Sequence, residues 1–177
     1  MGLILEVNGK TPALGEGSWV APNATLVGDI ITGKNCTIWF NAVVRGDVNE
    51  IRIGDDTNIQ DGAVIHCTYQ KAGTYIGSKV SIAHNAIVHG CSIHDNVLIG
   101  MGAIVMDGAV VNSGAIIAAG AVVLANTVVE SNTIYAGMPA KKVKEISSEM
   151  REVIVRTAKN YPMYAGWFDK SKESGSK

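Results

Sequence analysis

Four histidines occur in the 177 residues of this chain, and three of them fall within Ser81–Asn96, SIAHNAIVHGCSIHDN, with the fourth at His66. Three neutral imidazoles that leave a fourth position open make a catalytic zinc site, with Zn–N bonds of about 2.0–2.1 Å. Such an ion lowers the pKa of a bound water from 15.7 to about 7, so hydroxide becomes available at neutral pH. The alternative is four surface histidines on polar turns. Deciding between them requires the elements that carry the rings.

Those elements repeat every six residues. Steps of six from Ile53 reach Ile59 and Ile65; from Ile76, Ile82 and Val88; from Ile93, Ile99, Val105, Val111, Ile117, Val123 and Val129. Four residues after most of these stands a small or β-branched side chain, among them Thr57, Ala63, Val80, Ala86, Ser92, Val97, Ala103 and Ala109. A helix needs a period of 3.6 and an amphipathic hairpin a period of 2, so neither accounts for this pattern. Hexads with one β-branched and one small inward residue predict a parallel β-helix, three hexads to the coil, with coils about 4.8 Å apart. Six to seven coils are expected between Val20 and Tyr135.

The count breaks at three places. RGDVNEIR at 45–52 departs from it, the step from Ile65 to Ile76 is eleven residues, and the step from Val88 to Ile93 is five. The last two lie beside histidines. In the hexad frame His66, His89 and His94 each follow an inward residue directly, whereas His84 stands two places after Ile82. His89 and His94 fall on successive faces, which diverge by about a third of a turn, so one ion should not reach both within a single chain. A site holding all three takes ligands from a neighbouring subunit. Spacing alone leaves the metal and the surface readings open.

Composition narrows the class. Fifteen basic and 16 acidic residues give a net charge of -1, with no basic run beyond KKVK at 141–144, which argues against nucleic-acid binding. Three cysteines, Cys36, Cys67 and Cys91, lack CxxC spacing and suit a reducing compartment, where they act as small buried hydrophobes. The N-terminus MGLILEVNGK has neither a basic n-region nor a long apolar stretch, so a cytoplasmic protein without a membrane span is expected. With 47% apolar residues, 6% aromatics and 20 glycines, the core is built from small aliphatic side chains. We expect residues 1–19 to cap the rod, 20–140 to form the β-helix, 141–168 a helical segment and 169–177 a polar tail. Pro162 should stop or kink the helix. A rod with flat apolar faces and open ends favours a closed trimer.

Taken together, WFNAVVRGDVNEIRIGDDTNIQDGAVIHC (39–67), IAHNAIVHGCSIHDNVLIGMGA (82–103) and AGMPAKKV (136–143) resemble the γ-class carbonic anhydrase family of hexapeptide-repeat proteins. The resemblance covers residues 10–165. It implies an all-β, left-handed parallel β-helix with a C-terminal helix, assembled as a homotrimer with three interfacial metal sites. It implies His66, His89 and His94 as ligands, the first and third from one chain and His89 from its neighbour, with His84 outside the set. Zinc is the expected ion, and Fe2+ or Co2+ fits the same ligands. Gln60 would hydrogen-bond the reacting hydroxide or bicarbonate, with Asn58 beside it in the substrate-binding set. Arg45 would pair with Asp61 across the interface, Asp47 would belong to the same polar cluster, and Tyr161 would reach the pocket. The implied reaction is zinc-hydroxide attack on CO2 giving bicarbonate. The chain departs from archaeal members of that family in its shuttle acid: Val48 follows Asp47, and TYQKAGTY at 68–75 holds no carboxylate. A hexapeptide-repeat acyltransferase or CoA thioesterase shares the rod and the GMPAKK ending and would use His84 as a base. A non-enzymatic metal- or siderophore-binding trimer is the third alternative.

Overall fold

Residues 2–173 are described in this computed structural model, the side chains as far as Phe168. Residues 174–177, within the expected polar tail, lie outside the described residues. The chain winds repeatedly through three faces, each strand pairing in parallel with its equivalents one coil before and after. The first face stacks Leu3–Leu5, the first halves of Thr25–Thr32 and Val43–Ile53, Val64–His66, Ile87–His89, Ile104–Val105 and Val122–Val123. The second stacks the second halves of the two long strands, then Thr74–Ile76, Ser92–Ile93, Val110–Val111 and Val128–Val129. The third runs from Trp19–Val20 through Thr37–Ile38, Asn58–Ile59, Ser81–Ile82, Leu98–Ile99 and Ile116–Ile117 to Thr133–Ala136. The result is a parallel β-solenoid of about seven turns with a single C-terminal helix.

The inward ladder is the predicted one. Every hexad position from Ile53 to Val129 is at most 5% exposed. The narrow interior admits one branched side chain per face, and the position two residues before it must be small for adjacent faces to meet at a corner. Ser92 is the instructive exception. Because the corner after Val88 is one residue short, Cys91 takes the inward small position at 2% exposure and Ser92 turns outward. Asparagines in the left-handed region, among them Asn35, Asn85, Asn96 and Asn126, make the tight corners, as their short polar side chains allow.

The other two irregularities lie at the corner between the first and second faces. Gly28 pairs with Gly46 but Ile30 with Ile51, so Asp47–Glu50 bulge out between them. One coil later the extra residues form a small loop closed by the antiparallel bridge Thr68–Ala72. Each insertion therefore sits beside the strand ends that carry His66 and His89.

The C-terminal part departs from expectation. Lys141–Glu145 is a strand, antiparallel to Thr133–Ala136, which closes the last coil of the third face. The helix follows as Ser148–Glu173 and passes through Pro162 without ending, into the segment expected as polar tail. Packing on both sides of the proline carries it through. Tyr161 meets Trp39 with ring centroids 5.2 Å apart, and Phe168 meets Trp19 at 5.3 Å and Phe40 at 5.4 Å. The helix covers the third face at Thr37–Ile38, Asn58–Ile59 and Ser81–Ile82.

Ile99→Ala, at 0% exposure in mid-rod, should lower the unfolding free energy by about 2–5 kcal/mol, while Val128→Ala, 60% exposed, should change it by about 0.5 kcal/mol or less; urea unfolding compares them. Burial pushes the Cys36 thiol up to about 11 and the Cys91 thiol up to about 12. At pH 8 roughly 0.1% or less of either is thiolate, so neither should react with a disulfide reagent until the chain is unfolded, when both should titrate.

Candidate metal centre

His66 and His89 end equivalent strands in adjacent coils and are partners in the parallel register. Stacking at the roughly 4.8 Å spacing of the sheet leaves their rings face to edge, and His66 Nδ1 lies 3.1 Å from His89 Nε2. The far nitrogen of each ring meets a carboxylate: His66 Nε2 is 3.1 Å from Asp47 Oδ1, and His89 Nδ1 is 2.5 Å from Asp107 Oδ1. Asp47 is delivered by the bulge after Gly46 and is paired with Arg45 at 2.6 Å. Asp107 stands in the corresponding corner one coil above His89, where the Thr68 hydroxyl donates to its other oxygen.

The electrostatics follow from these contacts. Burial works to raise the Asp47 carboxyl, but hydrogen bonds from Arg45 and His66 outweigh it and hold it below the usual range. The Thr68 hydroxyl, against the opposing pull of burial and with help from His89, holds Asp107 low as well. Burial depresses His66 and favours its neutral ring, the form that ligates.

The remaining two histidines separate on the same criterion. His84 lies in the turn between the third and first faces, with Nδ1 2.9 Å from Asp61 Oδ2, which leaves Nε2 without that partner. His94 is exposed and follows the second-face strand Ser92–Ile93, a full face beyond the His66/His89 pair. Within one chain His66 therefore meets His89, because parallel register stacks them, and not His94, with which it was expected to share an ion. Among the described residues of one chain, no group of three or more His, Cys, Asp or Glu side chains converges to hold a metal.

The other expected site residues divide likewise. Arg45 and Asp47 join the pair, and Asp61 joins His84. Gln60 is 3% exposed and donates from Nε2 to Asn58 Oδ1 at 3.0 Å. Asn58, expected beside Gln60 in the substrate-binding set, is fully buried and donates to Ser81 Oγ at 2.8 Å, beneath the helix. Tyr161 packs on Trp39, and its hydroxyl is pushed up to about 12, by burial first and then by the charge of Asp61. Asp107 was not legible from spacing by itself: the short corner makes this coil seventeen residues, so Val88 pairs with Val105 and Asp107 lies one place past the position equivalent to His89.

The donor set fits a tetrahedral cation. Bonds of about 2.0–2.1 Å at tetrahedral angles place ligand atoms about 3.3–3.4 Å apart, close to the 3.1 Å found between the two ring nitrogens. A carboxylate on the opposite nitrogen is the usual companion of a ligating histidine, fixing the tautomer that points its lone pair at the ion.

Known proteins resemble the chain over much of its length. Residues 90–125 match the sequence family described as bacterial transferase hexapeptide (six repeats), a stretch that contains regular coils and, of the histidines, His94 alone. The chain is 50% identical over 142 residues to a protein of Methanocaldococcus jannaschii described as a probable carbonic anhydrase, covering 80% of this chain and 89% of that one. It is 39% identical over 163 residues to the mitochondrial gamma carbonic anhydrase 2 of Arabidopsis thaliana, covering 89% of this chain but 59% of that longer protein. A crystal structure of a hexapeptide transferase family protein from Anaplasma phagocytophilum superposes with a TM-score of 0.90 at 36% identity, covering 94% of this chain and 98% of that one. With the repeat, the histidine pair and relatives matched over most of their length, the chain belongs to the γ-class carbonic anhydrase family of hexapeptide-repeat proteins.

Proposed function

We propose that the chain interconverts CO2 and bicarbonate at divalent-metal centres completed between adjacent copies of a homotrimer. The observation that carries this reading is the pattern of ring partners. His66, His84 and His89 each have one nitrogen against a carboxylate, and two of them face each other at ligand-to-ligand distance. Among the described residues His94 has no such partner, so the ligand set proposed is His66 and His89 from one chain with His84, rather than His94, from the next.

The surfaces support that choice. The helix covers the third face, and the second face is polar in the histidine coils, where Arg52, Tyr75 and Ser92 stand in line. The first face instead presents the outward ladder Val43, Val64, Ile87, Ile104 and Val122. Burying that ladder against another copy is the favourable association. Its downstream edge carries Arg45, His66 and His89 in ascending coils, and its upstream edge carries Asp61 and His84. Around a three-fold axis beside this face, the downstream edge of one copy meets the upstream edge of the next. If Arg45 pairs with Asp61 across that contact, the same one-coil offset sets His84 opposite His66.

Zinc, or Fe2+ or Co2+ with the same donors, would supply Lewis acidity that brings the pKa of a water to about 7. The chain's own groups do the rest. Asp47, Asp61 and Asp107 hold the three rings in one tautomer each, and Arg45 offsets the charge of Asp47. Gln60 shares the upstream edge with Asp61 and would orient the substrate through its amide. Hydration also releases a proton. The loop 68–75 offers no carboxylate and Tyr161 holds its proton to about 12, so a buffer base takes the proton instead.

Purified protein should hold about one zinc per chain and hydrate CO2 in a stopped-flow assay, with a rate that rises with imidazole buffer concentration. Stoichiometric metal without hydration at any pH or buffer concentration would remove the anhydrase reading. His66→Ala, His84→Ala and His89→Ala should each lose metal, whereas His94→Ala should keep it. In verified mixed trimers, His84→Ala with His66→Ala subunits should recover some sites, and His89→Ala with His66→Ala subunits should recover none beyond those of unmixed copies.

A further inference from the structure

We propose that Asp107, held in place by Thr68, is a positioning residue for His89, through which the short loop after His66 sets the affinity of the metal centre. The inference rests on the reading of His89 as a ligand and adds a role for two residues outside that set.

The geometry is specific. Asp107 divides its two oxygens, Oδ1 to His89 Nδ1 at 2.5 Å and Oδ2 to the Thr68 hydroxyl. Thr68 cannot drift, because its backbone closes the loop on both sides: its N–H donates to the Ala72 carbonyl at 2.9 Å and its carbonyl accepts from Ala72 N–H at 3.2 Å. The loop is fastened at its return by Thr74, whose hydroxyl donates to the His66 carbonyl at 2.5 Å and accepts from the Gly90 N–H at 2.9 Å. One loop thus spans the backbones of both histidine strands and ends on the carboxylate of one ring.

Gly90 supplies an independent sign that this approach is built in. It has φ +56°, and a Cβ there would stand 2.9 Å from the Asp107 carboxylate and 3.3 Å from Ala72 Cβ. A side chain at 90 would push apart the two groups that the arrangement brings together.

Asp107 also differs from Asp47. Arg45 shares the charge of Asp47, whereas among the described residues the only ion-pair contact of Asp107 is His89. Its closest charge partner is therefore one imidazole, with Lys71 acting from farther off. Accepting from Nδ1–H, it fixes the tautomer and keeps the Nε2 lone pair turned toward His66.

The test measures metal rather than turnover. Zinc affinity is read by competition with a chromophoric chelator, the ligand field by the visible spectrum of the Co2+-loaded protein, and the scaffold by thermal unfolding of the metal-free protein. Asp107→Asn should weaken zinc binding by about 10–100-fold and shift the Co2+ bands, with the metal-free midpoint unchanged. Thr68→Val should weaken binding in the same direction by less, and Thr68→Ser should restore it. Wild-type affinity and an unaltered Co2+ spectrum in both Asp107→Asn and Thr68→Val would overturn the proposal. So would a loss of metal-free stability that matches the loss of affinity, since that marks a scaffold role. His89→Ala separates the two levels. If it keeps wild-type affinity, the ligand reading itself fails and this inference with it; if it loses metal while Asp107→Asn does not, only the positioning role falls.

Discussion

Parallel register between coils is the constraint on which the remainder of this structure depends. Each strand donates to and accepts from its equivalents one coil away, as in Gln60 N–H to Ile82 carbonyl at 2.9 Å, and the short strands gain their order from that stack. A displacement of one residue would turn Ile65 and Val88 outward and their histidines inward. The insertions at 47–50 and 67–73 are tolerated because they leave the chain at a corner and return to it in phase. Register thus fixes both the apolar interior and the vertical column Arg45, His66, His89 on its surface.

That column explains how a rod with an ordinary aliphatic core carries chemistry. The core uses only the inward positions, so the outward and corner positions are free to hold charge. Asp47, Asp61 and Asp107 reach their histidines from three different corners or coils. Each carboxylate is anchored by something other than the ring it serves or by the turn that carries it. The imidazoles arrive at the surface with their tautomers already assigned, which lowers the reorganisation a bound ion would require.

Much of this was legible from the chain alone, because a period of six is a property of the sequence itself. Ile53 through Val129 fall inward as spacing predicts, and the three broken hexads mark the corners where side chains of interest gather. Spacing was a poorer guide to which histidines meet. Hexad phase grouped His94 with His66 and His89, since all three directly follow an inward residue, yet phase does not say which face a residue closes. Counting faces does: the five-residue step from His89 to His94 carries the chain to the next one. His84 was set aside for lying two places past Ile82, a turn position that Asp61 occupies identically one coil earlier. Residues about a coil apart, such as His89 and Asp107, become neighbours only once the insertions and the short corner are resolved. The helix illustrates the opposite case, in which local rules yield to tertiary contact: Pro162 breaks the hydrogen-bond ladder, but aromatic packing on Trp19, Trp39 and Phe40 holds both halves in line.

The antiparallel strand Lys141–Glu145 has a consequence for the rod as a whole. A solenoid of identical coils has no intrinsic length, and its final coil offers the same bonding edge as every coil before it. By reversing direction, this strand presents an edge of the wrong polarity for another coil, and it does so with five exposed residues, three of them lysines, of which Lys142 is tied to Glu130 and Glu145 at 2.7 Å. The third face is thereby closed to end-to-end polymerisation. On that face the length of the rod is set by the chain's own last strand.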